Sequence, residues 1–130
     1  MTEAEVLKEF KIQFTIFFDE LISQFPHEGD LVVMRLLIST QLSIVDTVNL
    51  FIYQINTKNG EQRQMIKDRN EVFFLKYEVT QETNDKYKLS HFKKLWRSGV
   101  LDDEDKRVIW QWIDTFVFLA DKYTKSLNPL

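Results

Sequence analysis

The chain has 130 residues, a formal net charge of −3, 44% hydrophobic and 14% aromatic residues, and no cysteine. That length suits one domain with one core. The missing cysteines exclude disulfides, thiolate nucleophiles and cysteine-bound metals, and the mild acidity is the opposite of a general polyanion binder's balance.

Three Gly and two Pro are far fewer than the roughly 7% and 5% of an average chain, so long uninterrupted helices are expected. Thr2 and Glu5 have the spacing of a capping box. Behind them Val6, Leu7, Phe10, Phe14, Phe17, Phe18, Leu21, Ile22 and Phe25 recur at steps of three and four. This predicts an amphipathic helix to about Phe25, stopped by Pro26. Ile12 and Ile16 widen its apolar face, which predicts burial on more than one side.

After a loop at 27–29, Asp30 is a candidate N-cap for a second helix from Leu31 to about Gln41. Val32, Val33 and Ile38 are β-branched, but the polar Arg35, Ser39 and Gln41 do not alternate with period two, which favours helix over strand. Ser43 and Asp46 form another capping pair, and Ile44, Val48, Phe51, Ile52 and Ile55 follow at helical spacing. Asn59-Gly60 is the expected end of this third helix, with one or two further turns over 61–66. Asp68 and Glu71 flank a further possible cap before Val72, Phe73, Phe74 and Leu75, a patch short enough to be a helical turn or an extended plug. The polar stretch 76–88 reads as the longest and most mobile loop. A fourth helix is expected from about Lys88 to Ser98, ending at Gly99, and a fifth from Asp102 to about Lys125. The fifth has acids in its first turn and lysines in its last, as the helix dipole favours.

The expectation is therefore one compact all-α domain over residues 1–130. It has about five helices and an aromatic-rich core that buries Trp96, Trp112 and Phe116. Glu3 and Glu5 stand where a signal peptide is positively charged, and the apolar run 31–38 is interrupted by Arg35. It is also well short of the ~20 residues needed to span a bilayer. The chain is expected to be soluble, or peripheral at most, with no membrane span.

Chemistry is sparse. His27 and His91 are far apart, and no nucleophile signature surrounds any serine. The run Asp102, Asp103, Glu104 and Asp105 lacks the alternating oxygens and glycine turn of a calcium loop, and helix capping explains it more simply. The glycines are isolated, so no phosphate-cradling loop exists. No catalytic, cofactor-binding or metal-binding residue is assigned, and no cofactor is expected.

Lys86, Lys88, Lys93, Lys94 and Arg97 lie among Tyr87, Phe92 and Trp96. Basic and aromatic residues together can grip a nucleic-acid strand. At helical spacing, however, Phe92, Leu95 and Trp96 share one face and Lys93, Lys94 and Arg97 lie largely off it, which equally describes a buried face backed by a solvated one or a surface for an acidic protein. Trp110 stands two residues, about 200°, from Trp112 on the fifth helix, and Phe18 adjoins Phe17 on the first. Apolar residues outside the main face mean a two-sided core or a partner. Phe18, Trp110, Lys93, Lys94 and Arg97 are the candidate contact residues.

Three stretches resemble a family of small helical proteins encoded by large nucleocytoplasmic DNA viruses. They are the first helix through Phe25, Pro26 and Glu28–Asp30; then Ile66, Asp68, Glu71, Phe73, Phe74 and Leu75; and then Phe92, Leu95, Trp96, Leu101, Asp105, Lys106, Ile109 and Trp110 with the apolar tail to Tyr123. Asn70 departs from the acidic residue the family pattern leads one to expect there. The resemblance implies a viral protein of the virion or host cytoplasm, and it supplies no activity. The resulting expectation is a non-enzymatic protein acting through protein–protein interaction, as a minor virion component or an adaptor, with another viral or host protein or a second copy of itself as partner. The alternative is a nucleic-acid-associated protein using the basic stripe at 86–97.

Overall fold

The computed structural model describes residues 2–40, 43–56, 60–76 and 93–127. Among these the chain forms seven helical segments and no strand: α1 (Glu3–Gln24), α2 (Gly29–Thr40), α3 (Ile44–Ile55), α4 (Glu61–Asp68), α5 (Glu71–Lys76), α6 (residues 93–97) and α7 (Asp103–Leu127). The all-α class and the aromatic core follow the expectation from sequence, while the number of helical segments exceeds five because the further turns expected over 61–66 and the patch 72–75 each form a short separate helix.

The caps explain both the agreement and the corrections. Thr2 and Glu5 close a complete capping box at the start of α1. Their mutual hydrogen bonds, led by that from the Thr2 hydroxyl, hold the Glu5 carboxyl below its ordinary range. Asp30 is not an N-cap: α2 begins at Gly29, and the Leu31 amide already bonds the Glu28 carbonyl at 3.1 Å. The Ser43 hydroxyl accepts the Asp46 amide at 3.0 Å to start α3. That helix ends at Ile55, capped by Asn56 rather than at Asn59-Gly60. Gly60, at φ 67°, instead opens α4 in a left-handed conformation, which glycine adopts without penalty. Asp68 lies in the last turn of α4, and the cap of α5 is Asn70, whose Oδ1 accepts the Phe73 amide at 3.1 Å. The patch 72–75 is thus a helical turn. The expected mobile loop lies, from residue 77 on, outside the described residues, as does the start of the fourth expected helix.

At α7 the acidic run does the capping expected of it. Asp102 Oδ1 accepts the Asp105 amide at 2.8 Å, and Asp105 Oδ2 accepts the Asp102 amide at 3.0 Å. Asp102→Ala removes one half of this reciprocal pair and is expected to cost about 1 kcal/mol, read as a lower urea midpoint with an unchanged slope.

The helices assemble around α1 and α7, which pack along each other. They run antiparallel: Gln24, at the end of α1, donates to Asp105, at the start of α7. α2 returns antiparallel along α1, tied to it by Arg35 and Asp19, and α3 lies against both α1 and α7. α4 meets α7 through Arg63, which donates to both oxygens of Asp121 at 3.1 and 2.7 Å. That pairing keeps the guanidinium even more firmly protonated than usual.

Because each residue turns 100° around a helix, α7 can bury two flanks. One carries Phe116, 5.4 Å from Phe10, 5.0 Å from Phe14 and 5.5 Å from Phe17 between ring centres, with Trp112 5.6 Å from Phe17. The other carries Trp110, 5.5 Å from Trp96 and 6.0 Å from Phe74. The 200° between Trp110 and Trp112 therefore marks a two-sided core. Trp96 and Phe116 are buried as expected, but Trp112 is only half-buried.

Candidate functional site

The corner where α5, α6 and α7 meet holds Trp110, Lys93, Lys94 and Arg97 of the residues that sequence reasoning singled out, and its geometry starts at Arg69. Arg69 has φ 54°, unusual for a side chain with a Cβ. The sharp turn this makes swings α5 back onto α7. The Arg69 guanidinium then donates to both oxygens of Asp114 and, at 2.8 Å, to the Ile66 carbonyl, while lying 5.7 Å over the Trp110 ring. These contacts offset the strained backbone, and the bond to Asp114 strengthens the guanidinium's hold on its proton.

α5 delivers Phe74 and Glu71. Phe74 sits 5.2 Å from Trp96 and 6.0 Å from Trp110, which docks α5 on the last third of the chain. Glu71 Oε1 accepts Trp96 Nε1–H at 2.7 Å and Lys106 Nζ–H at 2.8 Å, and Lys106 lies 5.7 Å over the Trp96 ring. The bond from Lys106, and then that from Trp96, hold the Glu71 carboxyl below its ordinary 4.5. A carboxylate with a lowered folded-state pKa stabilises the fold above its unfolded pKa and stops doing so as pH falls through the folded value. Glu71→Gln is therefore expected to lower stability by about 1 kcal/mol at neutral pH, the value for a charge-assisted bond discounted for partial exposure. The difference from wild type should shrink as pH falls below 4.5 and on through the lowered folded-state value, which urea titrations at pH 7 and pH 3 would read.

This corner is a joint rather than an open surface, and it reassigns most of the candidate contacts. Trp110 is 6% exposed and Phe18 3%. Both belong to the core, because α7 is flanked on two sides and α1 is packed by α2, α3 and α7. Lys93 is 8% exposed, with its ammonium 5.7 Å over the Phe74 ring. Arg97 donates to the Leu75 carbonyl. Lys94 is exposed, as expected. The three cations of the stripe thus point to different places and form no continuous row. Lys86, Lys88 and His91 lie outside the described residues.

The chain matches no family model, no curated protein and no solved structure. Among the described residues no group of three histidines, aspartates or glutamates is placed to hold a metal ion, and no helix is long and apolar enough to cross a membrane.

The surface that sequence reasoning missed is on α2. Val32, Val33 and Leu36 are exposed, Val33 by 53% and Leu36 by 58%, while Leu31 and Met34 point into the core. Ile12 and Ile16, expected to be buried, are exposed on α1. They fall at the i and i+4 positions of a row that reaches Asp19 at i+7, and Asp19 meets Arg35 of α2, so the two isoleucines lie on the α1 side that adjoins α2. The signal was present: residues 31–38 are apolar at every position but Arg35, more than one buried face can use.

Proposed function

We propose that this is a non-enzymatic protein that acts by binding other proteins, through the outer face of α2 and the adjoining side of α1. The observation that carries the reading is the run of exposed aliphatic side chains Val32, Val33 and Leu36 on a single helix. Isolated exposed apolar residues need no explanation, but a contiguous group on one element is the usual mark of an interaction surface. The resemblance to helical proteins of large DNA viruses supplies the setting: a minor virion component or an adaptor, in the virion or host cytoplasm. Lys94 stays exposed on α6, whereas Phe18 and Trp110 are buried in the core.

The test is affinity capture from infected host cells with wild type, Leu36→Glu and Phe118→Glu. Phe118, on α7, is exposed to the same 58% as Leu36. A partner lost with Leu36→Glu and retained with Phe118→Glu supports the reading. Retention by both variants overturns it.

A further inference from the structure

We draw no further inference here: the strongest candidate, the surface patch formed by Val32, Val33 and Leu36 of α2 with Ile12 and Ile16 of α1 beside it, already carries the reading above, and nothing in the structure shows what covers it.

Discussion

Trp110→Ala is expected to destabilise the protein by about 3–5 kcal/mol, the range for emptying a buried aromatic site. That is a large fraction of the roughly 5–15 kcal/mol that holds a domain together. Trp110 touches Trp96 edge-on at 5.5 Å and Phe74 at 6.0 Å, and the Arg69 guanidinium covers it at 5.7 Å. Its loss opens a cavity that three elements border. It also leaves Arg69 to hold a positive φ without the ring beneath its guanidinium, so the turn between α4 and α5 should loosen as well. Trp112→Ala removes a side chain of equal size from a half-buried position and should cost clearly less, because part of its area is already in water. Urea denaturation of the two variants decides the matter. A larger loss at Trp112 than at Trp110 would mean that α7 faces the core in a different rotation. Each Trp–Trp or Trp–Phe contact should also show coupling of about 0.5–1.5 kcal/mol in a double-mutant cycle pairing Trp96 with Trp110.

These tryptophans show which parts of the fold are legible in sequence. Periodicity locates α1 and α7 well, since each exceeds twenty residues and repeats its apolar pattern many times. It finds the capping pairs Thr2–Glu5 and Ser43–Asp46, because those interactions span only three residues. It does not say how many sides of a helix are covered. An apolar residue well outside the main row, such as Trp110, is buried only because α5 and α6 come back over α7, and that return depends on the left-handed backbone of Arg69 and the Asn70 cap. Neither residue is glycine, the usual marker of such a turn. The same blindness acts in reverse on α1 and α2. Ile12, Ile16, Val33 and Leu36 have the composition of core residues, and what exposes them is the absence of any described helix packed on that side. Phe18 and Trp110, candidates for contact, are buried for the same reason: local sequence records hydrophobicity, whereas exposure is a property of which elements meet. Asn70, which departs from the acidic residue expected by resemblance, keeps a structural role, since its side-chain oxygen accepts an amide at an N-terminus just as an aspartate would.

Phe116→Ala should be the most damaging change on the other flank of α7, at about 3–5 kcal/mol and a fall in melting temperature of roughly 10 °C or more. Phe116 is the point where three helices meet: it lies 5.4 Å from Phe10, 5.0 Å from Phe14 and 5.5 Å from Phe17 of α1, 6.3 Å from Phe51 of α3, and stacks at 5.9 Å on Trp112 of its own helix. No single neighbour can move in to fill the space without breaking its own ring contacts, so the cavity should collapse little and the cost should sit near the top of the range. Phe116→Leu, which conserves most of the volume, should cost less than about 1.5 kcal/mol. The informative control is Phe118, two residues on and 200° around the helix, where Lys122 lies 4.6 Å over an exposed ring. Phe118→Ala removes one exposed cation–π contact and should cost about 1 kcal/mol or less. Comparable losses at 116 and 118 would contradict the rotation of α7 that buries Phe116 and Trp110 on its two flanks.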